Sequence, residues 1–215
     1  MTVPDVAEVF ELSGGALCLD FANTLGDRPR SASEHLNSYG DFLRFSSQAE
    51  SIPSGDLKEL ERLYADCPTC ADAAFKRILE VREAIYRIFS AEVASESPDD
   101  DDIQILNAAL KKAMRQSELQ CCDGEFGWHW GGPAQALDRP LWPIVRSAAE
   151  LLTSDEVPHL RECDSETCSW LFVDRSRTRR RRWCDMSTCG NRAKARRHYQ
   201  RRKDMKRSIP VSAEK

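Results

Sequence analysis

Two matched pairs of cysteines decide how this chain is read: Cys163-Asp164-Ser165-Glu166-Thr167-Cys168 and Cys184-Asp185-Met186-Ser187-Thr188-Cys189. Each pair encloses four residues, and fifteen residues separate the pairs. The second runs straight into Gly190-Asn191-Arg192-Ala193-Lys194-Ala195-Arg196-Arg197-His198-Tyr199-Gln200-Arg201-Arg202-Lys203. Four thiolates on two short loops, joined by a span long enough for a hairpin, suit one tetrahedral Zn²⁺. Thiolates bind it at about 2.3 Å, and a structural site fills all four positions. Ribbon sites more often enclose two residues per pair, so these knuckles are wider but still local. Two disulfides are the alternative. Zinc is preferred because a cytosolic chain keeps its thiols reduced. The expected cofactor is therefore one structural zinc on Cys163, Cys168, Cys184 and Cys189. Cys67-Pro68-Thr69-Cys70 has tighter spacing but no second pair beside it, and reads as a helix start rather than a ligand set. His198 reads as facing solvent or phosphate.

The residues from Cys163 through Trp170, Phe172 and Asp174, then from Arg180 through Trp183, Cys184, Cys189-Gly190-Asn191-Arg192 and Arg197-His198, closely resemble the bacterial CGNR zinc-finger family. The likeness spans about forty residues. Members of that family typically carry an N-terminal domain called ABATE. Its opening and closing motifs resemble Leu17-Cys18-Leu19-Asp20-Phe21-Ala22-Asn23-Thr24-Leu25 and the run from Leu141-Trp142-Pro143 to Leu151-Leu152. Between about Ser31 and Gln120 only the helical pattern matches. The resemblance implies a regulator of transcription linked to stress.

Charge divides the chain in the same place. The net charge of −4 over 215 residues hides two opposite halves. Residues 161–215 hold 17 Lys and Arg against 7 Asp and Glu, whereas residues 1–160 hold 14 against 28. A basic module attached to an acidic body points to a polyanion partner. Arginine predominates, and its planar fork suits phosphate and guanine edges. The apolar fraction of 41% supports a core. No stretch approaches the roughly twenty apolar residues of a membrane helix, and the start lacks the basic and apolar runs of a secretory signal. The expected setting is the cytoplasm, at the nucleoid, with no membrane partner.

Along the body, Val9-Phe10-Glu11-Leu12 and Ala16-Leu17-Cys18-Leu19 flank Ser13-Gly14-Gly15, which predicts a β-hairpin. Arg28 and Arg30 lie near Asp20 and Asn23. Asp20, Asn23 and Arg28 could together hold a small anionic effector. The plainer reading is a capping network. Helices are expected from Ser31 or Ser33 to Phe45, over Leu57–Tyr64, over Ala71–Ser95 and after Asp99. Asp99–Asp102 lacks the glycine and closing glutamate of a calcium loop, so its carboxylates serve the helix start. Residues 119–130 predict a second hairpin around Asp123-Gly124, completing a sheet with the first and burying the Cys121-Cys122 thiols. Leu141–Leu152 predicts a helix that closes the body.

In the finger, Ser169–Val173 reads as a strand turned at Asp174-Arg175-Ser176, with Arg179–Trp183 returning. Asn191 reads as the cap of a basic helix to about Lys206, with Ala193, Ala195 and Tyr199 as its packing side. The fold class is α+β: a mainly helical N-terminal domain with a small antiparallel sheet, 1–155, a small zinc-ribbon-like finger ending in a basic helix, 156–207, and a disordered tail, 208–215. Phosphate-cradling loops, HExxH and nucleophile elbows are absent, so enzyme chemistry is not expected. The expected function is a zinc-finger DNA-binding regulator whose acidic domain senses a small-molecule effector or forms a homodimer. Its nucleic-acid contacts would be Arg179, Arg180, Arg181, Arg192, Lys194, Arg196, Arg197, Arg201, Arg202 and Lys203. An RNA-binding ribbon protein and a zinc-stabilised protein-interaction module are the alternatives. DNA is preferred because RNA reading uses exposed aromatics, of which the basic module offers only Tyr199.

Overall fold

The computed structural model describes residues 10–28, 30, 32–122, 124–133 and 135–207, the side chains of Cys122 and of residues 204–207 excepted. The expected tail, Ser31 as a cap, Val9 of the opening hairpin and Asp123 of the second turn lie outside the described residues.

The axis of the body is helix α4, Pro68–Ala94. Phe75, Ile78, Val81, Ile85, Ile88 and Phe89 recur at helical spacing and are buried, giving one long apolar stripe. Pro68 sits in the first turn, where its missing N–H costs no helical bond. Ser95, at φ 59°, ends the helix in a left-handed turn. Helix α5, Asp100–Met114, packs back on α4. Asp99 accepts a hydrogen bond from the Asp101 N–H, and three aspartates fill the first turn, the end the helix dipole makes positive. Arg87 of α4 grips Asp102 of α5 through two hydrogen bonds, 2.8 and 2.5 Å. Helix α6, Leu141–Leu152, buries Trp142, Ile144, Val145 and Ala148. It lies against α5 and against α1, Leu17–Ala22. Helices α2, Tyr39–Gln48, and α3, Ser54–Asp66, cover the side near the start of α4.

The α+β class holds: small two-stranded antiparallel sheets sit among these helices. Their placement differs from the sequence reading. Residues 10–12 and 16–19 do not form a hairpin. Cys18, Leu19, Phe21 and Ala22 are all buried, a pattern that a helix in the core satisfies and a two-faced strand does not. Gly14 and Gly15 instead form the loop before α1, with the Gly14 N–H donating to Asp20 Oδ1 at 2.8 Å. Ser33–Glu34 forms strand β2 with β1, Leu25–Gly26, so α2 starts later than expected, capped by Ser38. Strands β3, Ser117–Cys122, and β4, Glu125–Trp130, make the expected second hairpin, but it stands apart from β1 and β2. It is anchored to α6 by Trp130, which meets Trp142 at 6.0 Å between ring centroids, and by Trp128, over whose ring the Arg146 guanidinium lies at 4.5 Å. Leu119, Phe126, Trp128 and Cys121 are exposed. The expected burial of the Cys121 thiol fails because the outer end of the hairpin, where Cys121 pairs with Phe126, is exposed.

The finger is joined to the body by its first half. Strand β5, Leu160–Glu162, pairs antiparallel with β6, Leu171–Val173. The expected partner of β6, residues 179–183, forms no strand, because β5 takes its edge. Leu160, Leu171 and Val173 belong to the body's own core, and both strands contact α4. The backbone joins too: the Val173 N–H donates to Gly14 O at 2.9 Å. Phe172 points the other way, into a second cluster with the four finger cysteines, Trp170 and Trp183.

Candidate metal centre and nucleic-acid interface

The β5–β6 ladder continues one step past its strands, with the Cys163 N–H donating to Trp170 O at 2.9 Å. The intervening loop turns at Cys168, whose N–H donates to Ser165 O at 3.0 Å. These bonds bring Cys163 and Cys168 to one end of the hairpin. The second pair is set by a wide helical turn, Met186–Gly190. Asp185 caps it, its Oδ1 accepting the Ser187 and Thr188 N–H groups at 2.7 and 2.9 Å. The expected cap, Asn191, is instead the first residue of helix α7, Asn191–Arg207, and its side chain donates to Ser187 O. The turn begins earlier than the basic run suggests, so the cap moves with it. Gly190 packs closely: a Cβ there would meet Met186 Sδ at 2.7 Å and Trp183 Cδ1 at 3.3 Å, so the methionine would have to shift.

All four cysteines are buried, and their sulfurs lie within 4.8 Å of one another. Cys168 and Cys184 are 3.7 Å apart, and Cys184 and Cys189 3.6 Å. A tetrahedron with bonds of about 2.3 Å has edges of about 3.8 Å, so the set fits one Zn²⁺. The thiols respond to one another accordingly. S–H groups of Cys168 and Cys184 hold Cys163 far below the ordinary thiol range, and the Cys163 thiolate in turn holds both neighbours well above it. Cys163 takes a negative charge readily, whereas Cys168 and Cys184 give up their protons only with a cation at the centre.

Helix α7 leaves this centre almost unclothed. Arg192, Lys194, Arg196, Arg197, Arg201, Arg202 and Lys203 are exposed. The expected packing side is not one: Ala195 is exposed, and so is Tyr199, at 71%. Only the first turns rest on the knuckles, and no other described element covers the rest. Arg196 is paired with Glu166 at 3.0 Å, a carboxylate that also meets Arg30 at 3.1 Å. Of the three expected contacts before the second pair, Arg180 is exposed. Arg179 donates to Asp174 O. Arg181 is turned inward: its guanidinium lies 4.3 Å over the Phe172 ring and donates to Trp183 O, Ser13 O and Cys184 O. It serves the finger's interior by supplying donors to those carbonyls. Asp174, where the sequence places the turn, organises this loop by accepting the Ser176 and Arg181 N–H groups, both at 2.9 Å. Its position just before Arg-Ser was the available signal, since aspartate opens turns by this bond.

Of the three expected effector residues, Arg28 stands apart from the other two. Arg28 pairs with Glu83 and lies 3.7 Å over the Tyr86 ring. Asn23 is buried in hydrogen bonds to Leu171 of the finger. Asp20 does face a cleft, and Asn23 forms part of its wall. Two adjoining cavities of about 310 and 230 Å³ lie between body and finger, sharing Glu11, His35, Trp170 and Arg192. Burial pushes the Asp20 carboxyl up to about 6 against the lowering effect of its Gly14 hydrogen bond. One oxygen of Asp27, at the edge of this cleft, is buried without a hydrogen-bond partner among the described residues. No described helix is long and apolar enough to cross a membrane.

Comparison with known proteins divides the chain along the same lines. Residues 15–155 match the ABATE family model, described as "Putative stress-induced transcription regulator", and residues 159–202 match the CGNR zinc finger. No curated protein matches the chain.

Proposed function

Since this chain belongs to the ABATE family and carries a CGNR zinc finger, we propose that it regulates transcription by binding DNA through α7. One observation carries the reading: a basic helix with seven exposed cationic side chains between Arg192 and Lys203, launched from a zinc-held turn and covered by nothing else described. An isolated helix of this length is marginal in water. Metal binding supplies the fixed first turn from which it grows. An α-helix fits the major groove of B-DNA, and recognition helices usually present their N-terminal residues to the bases. Arg192 and Arg196 occupy that end. Arg201, Arg202 and Lys203 extend along it to reach phosphates.

The body takes the sensory role in this proposal. The cleft beside Asp20, Asn23 and Trp170 also contains Arg192, so a small molecule held there touches both the body and the root of α7. No catalytic role is proposed for the cleft, and the cytoplasm, at the nucleoid, is the setting the proposal assumes. The residue 155/156 division is proposed as a division of labour: acidic body for control, basic finger for binding. The test is a set of titrations with duplex DNA and single-stranded RNA at several salt concentrations. DNA binding that weakens steeply with salt supports the reading. Preference for single-stranded RNA, lost in Tyr199→Ala, supports the alternative, which the exposure of Tyr199 favours.

A further inference from the structure

We propose that Cys67 and Cys70 form a reversible thiol–disulfide exchange site whose co-reactants are low-molecular-weight thiols and disulfides. The two sulfurs are bonded, with their Cα atoms 5.4 Å apart, at the corner where α3 meets α4. Cys67 is half-buried, and Cys70 is exposed on the first turn of α4. Their backbone positions are fixed independently of the bond. The Cys67 N–H closes α3 by donating to Leu63 O at 2.9 Å, and its carbonyl accepts the Ala71 N–H at 3.2 Å to open α4. Opening the bond therefore requires only side-chain rotation, so both redox states fit the same corner. The first turn of a 27-residue helix also presents uncovered N–H groups and the positive end of its dipole. Both favour the thiolate, the form that attacks disulfides.

The other cysteines give the contrast. Cys18 is fully buried, and burial pushes its thiol up to about 12, which makes it inert. The four finger sulfurs are buried and hold one another. They must stay reduced to hold zinc, so the chain works where thiols persist. In such surroundings a protein disulfide is usually transient, catalytic or redox-sensing rather than structural. Cys121 is exposed and unbonded, an internal comparison without the helix start.

The exchange balances as two steps. The Cys67 thiolate attacks one sulfur of a small disulfide, RSSR, forming Cys67–S–S–R and releasing RS⁻. The Cys70 thiolate then attacks the Cys67 sulfur, forming the protein disulfide and releasing a second RS⁻. Two protein thiols are oxidised, one RSSR is reduced to two RSH, and the thiol protons go to the departing thiolates. Excess RSH reverses both steps.

The experiment treats full-length zinc-loaded protein with glutathione disulfide and maps adducts by mass spectrometry. Cys70→Ser should trap glutathione on Cys67, about tenfold faster than Cys67→Ser acquires it on Cys70 and than Cys121 acquires it in either variant. The wild-type protein should pass to the Cys67–Cys70 disulfide without keeping an adduct there, return to dithiol with reduced glutathione, and keep its zinc throughout. Equal adduct rates at the three positions, or zinc loss before the Cys67–Cys70 bond forms, would overturn the proposal. The wild-type cycle keeps the proposal open to refutation even if a serine variant folds poorly.

Discussion

The side-chain amide of Asn23 pairs with the peptide of Leu171 as a neighbouring strand would. Its Nδ2 donates to Leu171 O at 2.9 Å, and its Oδ1 accepts the Leu171 N–H, also at 2.9 Å. The two residues stand 148 positions apart, and both are buried. One amide thus satisfies the free edge of β6 and fastens the finger's first hairpin to the C-terminal end of α1. Leu171 and Val173 add their side chains to the body's core at the same place.

Asn23→Ala is expected to leave a buried peptide N–H and carbonyl without partners. Each costs about 1–3 kcal/mol, so a loss of about 2–6 kcal/mol in global stability is expected from urea denaturation. Asn23→Asp keeps the acceptor but sets a buried carboxylate against the Leu171 carbonyl, and near neutral pH should cost at least as much. A loss below about 0.5 kcal/mol for Asn23→Ala would mean that the clamp is not what joins the two parts.

Zinc removal should act on half of the finger. The sequence alone treats the finger, 156–207, as one unit, but β5 and β6 are seated in the body. Cys184→Ser should abolish the single zinc, because a structural site needs every ligand. Hydrogen exchange should then show α7 and the turn before it unprotected, while β5, β6 and the body helices stay protected. Elemental analysis finding zinc retained at one per chain would contradict this. So would loss of protection at Leu171 and Val173 equal to that of α7.

What the sequence made legible follows from how local each signal is. The four cysteines, the long stripe of α4, the aspartate-rich start of α5 and the limits of α6 are all written within a few turns of chain. The opening segment was misread because Gly14-Gly15 between apolar runs is equally a hairpin turn and a loop before a buried helix. Only the packing of Cys18, Leu19, Phe21 and Ala22 on α4 and α6 separates the two. The partner of β6 was missed for a similar reason. Nothing near Ser169–Val173 indicates that its edge is taken by Leu160–Glu162 on one side and by a distant asparagine on the other. Arg181 resembles its neighbours in the arginine run, and only the Phe172 ring and three carbonyls around it mark it as interior.

Asp20 gives a pH dependence whose sign can be stated. Its carboxyl stands at about 6 in the folded protein against a reference of 3.8, chiefly through burial. The folded state therefore holds this proton through a range in which the unfolded chain has released it. Stability from the neutral acid is complete below about pH 4 and is lost as pH rises through 6. At 1.36 kcal/mol per pH unit the difference is at most about 3 kcal/mol. Asp20→Asn keeps an acceptor for the Gly14 N–H and removes the charge, so it should match the wild type near pH 4 and exceed it at pH 7. Denaturation curves at both values decide this; equal stabilities at pH 7 would show that the carboxylate is not penalised there.

The geometry of α7 makes the strongest demand on the proposed function. Seven cationic residues within twelve positions wind through more than three turns, so they cannot all enter one groove. With about six phosphate contacts at roughly 0.9 each, log K should fall with log salt at a slope near −5 to −6. Arg202→Ala should weaken binding to every duplex alike and reduce that slope by about one. Arg196→Ala should instead relax sequence preference, since Arg196 lies at the end expected to face base edges. Its ion pair with Glu166 is exposed and weak, so Glu166→Gln should release the guanidinium and tighten binding by a fewfold at low salt. Titrations of all three variants on specific and scrambled duplexes separate the roles. Equal losses on every duplex for both arginine variants would make α7 a clamp for polyanions in general. Affinity independent of salt would remove phosphate contact altogether and favour docking of the helix on protein.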